Sequence, residues 1–260
     1  MNAHPLAVIH PEAKIGQNVT IDPFAVIEKD VVIGDNCHIY SHAVILDGAR
    51  IGNNCRIFSG AVIAGIPQDL KFAGEITTAE IGNDTTIREC VTVNRGTKAK
   101  GKTIVGNHCL LMAYSHIAHD CLLKDHVIIG NACQIAGEVF IDDYAIVSGG
   151  VLVHQFTRIS KHVMIQGGSR VGKDIPPYTL IGREPICYAG INIVGLRRRG
   201  FSNDQIFLIQ DIYRTLYTRG LNNSDAINCI ETEYESSEER NLILDFIKTS
   251  ERGIVRGSMD

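Results

Sequence analysis

No apolar run in this 260-residue chain approaches the roughly 20 residues that a helical membrane span requires, so no integral membrane segment is expected. Charge of one sign is also lacking. The 25 Lys and Arg against 29 Asp and Glu leave a formal −4, which gives no electrostatic basis for holding nucleic acid by its phosphates. The opening MNAHPLAVIHPEAK has neither the basic end nor the continuous apolar centre of a secretory signal. The eight cysteines are therefore expected in a reducing cytoplasm, and none of them forms a C-x-x-C pair that would suggest thiolate zinc. What is present is 45% hydrophobic content, enough to bury a substantial core in one large domain or one with an appendage.

That content is ordered with a period of six. From Ile9, steps of six reach Ile15, Ile21, Ile27, Ile33, Ile39, Ile45, Ile51, Ile57 and Ile63, an unbroken series of ten isoleucines. Four residues after each of the first nine comes a smaller residue: Ala13, Val19, Ala25, Val31, Cys37, Ala43, Ala49, Cys55 and Ala61. The period returns at Ile81, Ile87 and Val93, then runs from Val105 through Ile117, Ile135 and Val153 to Val171. A helix needs spacings of three and four, whereas six-residue units of β-branched residues suit short strands separated by tight turns. The pattern resembles the hexapeptide-repeat left-handed parallel β-helix, in which three hexads complete one triangular coil; the hand is carried by that resemblance. Large residues then point into the prism, and Cys37, Cys55, Cys109, Cys121 and Cys133, at the fifth hexad position, are read as inward packing.

Two stretches leave the period, about 64–80 and about 94–104, and both read as loop insertions projecting from the column. The first carries a compact polar group, Gln68, Asp69 and Lys71. The repeats are expected to end near Ile175-Pro176-Pro177-Tyr178, because consecutive prolines cannot continue a ladder. Beyond them, Ser202 and Asp204 can cap a helix carrying Ile206, Ile209, Ile212, Tyr213 and Leu216, closed by Gly220. Further helices are expected near 224–234 and 236–250. The chain thus divides into a mainly β left-handed β-helix domain at 1–178 and, at 179–260, a connecting segment with a C-terminal α-helical domain.

Within the monotony, Ser115-His116-Ile117-Ala118-His119-Asp120-Cys121 places two histidines and an aspartate together. With Ile117 at the first hexad position, His119 and Asp120 are expected on the exposed side. Gly137 falls at the position of His119 one coil later, next to Glu138, and His154 and Gln155 follow one coil beyond. An imidazole beside an acid is suited to taking a proton, and a glycine one strand away permits close approach of backbone to a developing oxyanion. The remaining histidines read as solvated.

The stretches IPQDLKFAGE, NRGT, HIAHDC, VHQF, DIPPY and GINIVGLRRRGF, in this order, resemble the acyl-[acyl-carrier-protein]:UDP-N-acetylglucosamine O-acyltransferase family, and the likeness covers nearly the whole chain. It implies a homotrimer with sites between adjacent columns. There a 3-hydroxyacyl group would pass from acyl carrier protein to the sugar 3-hydroxyl of UDP-N-acetylglucosamine, the first step of lipid A biosynthesis. No cofactor or metal is implied, since a thioester is already activated. His119 matches the general base, Asp120 its electrostatic support and Gly137 the oxyanion amide. Gln68, Asp69, Lys71, His116, Glu138, His154 and Gln155 match the substrate shell. Asn192 and Arg198 match positions near nucleotide and phosphates, within a basic run Arg197-Arg198-Arg199. Met164, Gln166 and Gly167 lie where acyl length is set, Gly167 at a chain-end position.

The sequence departs from the family pattern at Glu138, where a further histidine is usual, at Val194, where a glutamate is usual, and at Arg183-Glu184-Pro185, where a nucleotide-contacting histidine would stand. Two other readings remain open, an acetyltransferase using acetyl-CoA and a non-catalytic scaffold, while two more are disfavoured, the first of them an N-acyltransferase of the same pathway. That N-acyltransferase would be expected to carry an N-terminal uridine-binding domain, for which repeats beginning at Ile9 leave no room. A γ-type carbonic anhydrase would need a histidine pair five residues apart, and the chain has none.

Overall fold

The computed structural model describes residues 2–257. The six-residue period becomes two-residue strands joined by turns at the corners of a triangular column, a left-handed parallel β-helix. Its three walls contain 11, nine and eight strands. The first wall begins at Asn2–Ala3 and includes Leu110–Leu111, Ile128–Ile129 and Met164–Ile165; the second includes His116–Ile117, Gln134–Ile135 and Leu152–Val153; the third includes Leu122–Leu123 and Phe140–Ile141. Pairing is in register from coil to coil, as in Ile117↔Ile135↔Val153, so equal hexad positions stack along each wall.

Register of this kind stacks the first-position residues inside the prism, where Ile21 to Ile63 and Leu111 to Ile165 are nearly solvent-free. The fifth-position residues fill the space beside the corners, and Cys37, Cys55, Cys109, Cys121 and Cys133 are buried there as free thiols. Burial pushes Cys109 and Cys121 up to about 12, so these side chains pack as small hydrophobes.

At the corners the chain must change direction, and a left-handed residue does this at most of them: Asn36, Asn54, Asp120, Glu138 and Tyr144 have φ of 58–60°. On the third edge, between the third and first walls, successive corner N–H groups are satisfied by an Asn or Asp of the next coil. Asp35 N donates to Asn53 Oδ1 (2.7 Å), Asn53 N to Asn83 Oδ1 (2.8 Å), Asn83 N to Asn107 Oδ1 (2.8 Å) and Asn107 N to Asp125 Oδ1 (2.7 Å). This edge also carries a stack of rings, His108, His126, Tyr144, His162 and Tyr178, with centroids 4.5–5.7 Å apart.

The prolines at 176 and 177 do not end the first wall, because Thr179–Gly182 resumes parallel pairing with Met164–Ile165 before turning back against Cys187–Ile191. Four helices follow: α1 (Ile193–Arg198), α2 (Asn203–Thr218), α3 (Asn223–Glu233) and α4 (Glu238–Lys248). The helix α2 starts at Ser202 with a reciprocal cap, Gln205 N donating to Ser202 Oγ while Ser202 N donates to the Gln205 side chain. Its Ile206, Ile209, Ile212 and Tyr213 form a second core with Leu196, Ile230 and Ile243. The sequence pattern did not anticipate α1, whose six residues are too short to show a period.

From α4 the chain returns to the column as a strap. Asp174 N donates to Gly253 O (3.1 Å), Val255 N to Asp174 O (2.9 Å), and the buried Asp174 carboxylate accepts from Arg158 N (2.9 Å) and Ser250 Oγ (2.8 Å).

Candidate active site

Both insertions leave the column at the second edge, between the second and third walls, and Ile117-Ala118-His119-Asp120-Cys121 turns this same edge. The inserts change the expected exposure. His119 and Asp120 lie on the outer side of the prism, yet the loops cover them: His119 keeps 8% of its surface and Asp120 none.

Four donors converge on the Asp120 carboxylate. Thr97 N (3.0 Å) and Lys100 N (3.2 Å) donate to Oδ1, while Thr97 Oγ1 (2.6 Å) and His119 Nδ1 (2.9 Å) donate to Oδ2. A carboxylate offers about four lone-pair positions, so this one is saturated, and the imidazole is fixed with its proton on Nδ1. Asp120 N in turn donates to Thr103 Oγ1 at 2.8 Å. The second insertion is therefore the clamp of the His119–Asp120 pair. Thr97 and Thr103 were missed in the sequence, because nothing periodic marks a threonine inside an irregular loop.

The other ring nitrogen, Nε2, keeps its lone pair and faces the first insertion, with Asp69 Oδ2 3.9 Å away. Asp69 is half-buried and held by Lys71 N donating to Oδ1 at 2.9 Å, whereas the Gln68 and Lys71 side chains project outward. Gly137 packs flat on the ring: a Cβ there would lie 2.6 Å from Cε1 and 2.7 Å from Nε2. Here the corner-capping rule of the third edge lapses. Where an Asn or Asp would cap from the next coil, the second edge has Gly137 above His119 and Gln155 above Gly137. As a result the Gly137 N–H has no acceptor among the described residues. The site thus presents an open amide donor beside an oriented base.

His116 sits at the adjoining end of the second wall, its Nδ1 2.7 Å from Thr92 Oγ1; burial, then the nearby His119, lower its pKa below the ordinary imidazole value. Glu138 N donates to His119 O (3.0 Å), and its carboxylate stands 4.0 Å from Lys100 Nζ. His154 and Gln155 occupy the same edge two coils above Ala118 and His119, with His154 exposed.

The remaining expected residues stand elsewhere. Met164 lies on the first wall and Gly167, with Gln166, at the first edge, between the first and second walls. Asn192 is buried at the third edge as the cap of α1, its Oδ1 accepting from Gly195 N (3.1 Å) and its Nδ2 donating to His162 O (2.9 Å), so its carboxamide is occupied. Arg199 is drawn out of the expected basic run: its Nη2 donates to Tyr144 O (3.2 Å) and its guanidinium covers the Tyr144 ring at 5.1 Å. Arg197 and Arg198 remain exposed, as do Val194 and Arg183-Glu184-Pro185.

The described residues hold no group of three or more His, Cys, Asp or Glu able to bind a metal ion, and no described helix is long and apolar enough to cross a membrane.

Known proteins match the chain over nearly its whole length. A family model for UDP-N-acetylglucosamine O-acyltransferase, domain 2, matches residues 174–255, and one for the bacterial transferase hexapeptide matches 12–47, 30–65 and 102–137. The acyl-[acyl-carrier-protein]:UDP-N-acetylglucosamine O-acyltransferase of Chlorobaculum parvum is 57% identical over 96% of this chain and 95% of its own. The chain belongs to this O-acyltransferase family. A solved family structure, the UDP-N-acetylglucosamine acyltransferase of Bacteroides fragilis, superposes with a TM-score of 0.96 at 60% identity, covering 97% of this chain and 99% of that one. The Francisella novicida family member gives 0.95 at 41% identity, with 99% and 95% covered. The family resemblance seen in the motifs thus extends to the helical tail.

Proposed function

We propose that the chain transfers a 3-hydroxyacyl group from acyl carrier protein to the 3-hydroxyl of UDP-N-acetylglucosamine, the step that opens lipid A biosynthesis. The observation that carries this reading is the saturated His119–Asp120 pair, with Nε2 open beneath the uncapped Gly137 N–H.

Nε2 takes the proton of the sugar hydroxyl as its oxygen attacks the thioester carbonyl, a contribution worth roughly 10²–10⁴-fold. The carbonyl oxygen becomes an anion that the Gly137 N–H receives; one such donor contributes about 10²–10³-fold. Asp120 holds the imidazolium formed. Collapse breaks the C–S bond, and the departing thiolate regains the proton from Nε2, leaving ester and free carrier thiol. Asp69, 3.9 Å from Nε2, is placed to accept a hydrogen bond from the acceptor sugar, with Gln68, Lys71 and His116 around it.

A homotrimer completes the site. Its expected residues occupy three different edges of one column: His119 the second, Gly167 the first, and Asn192 with Arg198 the third. A triangular prism holds these edges apart, so a second copy must bring its own third or first edge to His119, and a closed three-fold ring does this for every copy. In that setting Met164 and Gly167 meet the acyl chain, and Arg198 reaches the nucleotide.

The deciding experiment incubates the protein with UDP-N-acetylglucosamine and 3-hydroxyacyl carrier protein, in parallel with acetyl-CoA, for the natural chain and His119→Ala. O-acylation with the carrier protein alone, lost in the variant, is the expected result. Turnover with acetyl-CoA alone would move the assignment to an acetyltransferase, and no turnover with either donor would leave a scaffold.

A further inference from the structure

The strap that returns from α4 brings one side chain, Arg252, to the edge that carries His119. Its Nη2 donates to Gly172 O at 3.3 Å and lies 3.3 Å from His154 Nδ1. His154 Nδ1 also lies 3.0 Å from the Gln155 carbonyl oxygen, so this nitrogen either accepts from the guanidinium or donates to the carbonyl and serves one of the two at a time. In addition, Arg252 Nε is buried without a hydrogen-bond partner among the described residues, which leaves its desolvation uncompensated. A purely structural arginine would saturate its fork. This one is held half-exposed beside an imidazole, with Lys173 Nζ fastening the strap through Arg252 O at 2.6 Å.

Cations predominate in the surroundings. Arg170 and Lys173 are exposed alongside, as is Glu251, while the adjacent Asp174 carboxylate is already committed to Arg158 N and Ser250 Oγ. Open space lies over Gly172, where an added Cβ would meet nothing within 4 Å.

We propose that Arg252 and His154 form a subsite for the diphosphate of the nucleotide-sugar acceptor. The proposal rests on the acyl-transfer reading above and adds the residue from the helical tail that anchors that substrate. Spacing selects the diphosphate. His154 stands two coils above Ala118, about 10 Å along the edge at roughly 4.7–4.9 Å per coil. A sugar with its 3-hydroxyl at His119 Nε2 places its anomeric oxygen across the ring and its phosphates just beyond, at this height. The phosphodiester of a carrier arm is separated from its thioester by the whole pantetheine, a much longer reach. A planar guanidinium can then grip phosphate oxygens by two parallel hydrogen bonds.

The test measures steady-state kinetics and equilibrium binding of UDP and of uridine for the natural chain, Arg252→Ala, Arg252→Lys and His154→Ala, with thermal melting as control. In Arg252→Ala the KM for UDP-N-acetylglucosamine should rise roughly 10–100-fold, the range expected for lost hydrogen bonds to a charged group. The KM for acyl carrier protein should stay unchanged, and the preference for UDP over uridine should fall by the same factor, with partial recovery in Arg252→Lys. His154→Ala alters an exposed side chain and should weaken the same preference even if Arg252→Ala fails to fold. An unchanged UDP-over-uridine preference in folded variants overturns the subsite, as does a rise in the carrier-protein KM alone. If the natural chain shows no turnover, the acyl-transfer reading fails, while UDP binding still decides the subsite.

Discussion

Thr97 Oγ1 lies 2.6 Å from Asp120 Oδ2, the same oxygen that receives His119 Nδ1 at 2.9 Å. A loop residue with no reach to substrate thereby sets the orientation of the base. Thr97→Val keeps the shape and removes one donor, leaving the ring free to rotate about Asp120. We expect kcat to fall roughly tenfold, the worth of a hydrogen bond to a charged group, with little change in KM or melting temperature. Thr97→Ser should restore most of the rate; equal rates for Val and Ser would separate Thr97 from the chemistry.

Asp120→Asn tests the other half of that pair. The substituted amide brings a donor to a position already surrounded by donors, so either Thr97 or His119 Nδ1 loses its acceptor. An imidazole that flips its tautomer presents N–H instead of a lone pair to the sugar hydroxyl. Turnover should drop about 10²-fold or more, as for a mispositioned general base. Binding of UDP should be unaltered, and calorimetry on the folded variant checks this.

Gly137→Ala places a methyl carbon 2.6–2.7 Å from His119 Cε1 and Nε2, as the backbone geometry dictates. The ring cannot retreat, because its opposite side is fixed to a fully buried carboxylate. The methyl would screen Nε2 and push substrate from the amide. Expected is a loss on the order of 10²–10³-fold in kcat, comparable to losing an oxyanion donor, in a protein that still folds. Retained activity would remove Gly137 from the mechanism.

His162 reports on the column itself. Burial, then Arg199 and Lys161, lower its pKa from 6.5 to about 4. Its Nδ1 is buried without a partner among the described residues, and the ring lies between those of Tyr144 and Tyr178. The folded chain therefore holds the ring neutral down to about pH 4, while the unfolded chain protonates near 6.5. Between these values the unfolded state binds more protons, so stability falls as pH drops through that window, by up to about 3 kcal/mol. His162→Phe, which keeps the stack, should remove this dependence from urea titrations at pH 7 and pH 4.5.

The core was legible because a prism repeats its demands. Every coil needs a large residue inside and a small one beside the corner, and Ile9 to Ile63 answer with a fixed period. The capping helix at Ser202 was legible for a similar reason, since caps use few residue types. Burial of His119 and Asp120 was not, because it comes from inserts that obey no period. Asn192 shows a different limit. Its identity suits a helix cap, but six residues of α1 give too little pattern to reveal the helix it caps. The open amide of Gly137 had a signal after all: the third-hexad Asn and Asp that cap the third edge give way to glycine and glutamine here.

The proposed trimer has a sharp test of assembly. On that proposal, His119→Ala and Arg198→Ala each remove one half of a site that combines the second edge of one column with the third edge of the next. Each variant alone should be nearly inactive. If the two are unfolded together and reassembled in equal amounts, a site is intact only where an Arg198→Ala copy supplies His119 and its neighbour, a His119→Ala copy, supplies Arg198. Random closure of symmetric rings makes about a quarter of all sites intact, so activity should return to about a quarter of the natural value. A site built within one column has no such route, because every copy in the mixture lacks one of the two residues, and activity would stay at the level of the separate variants.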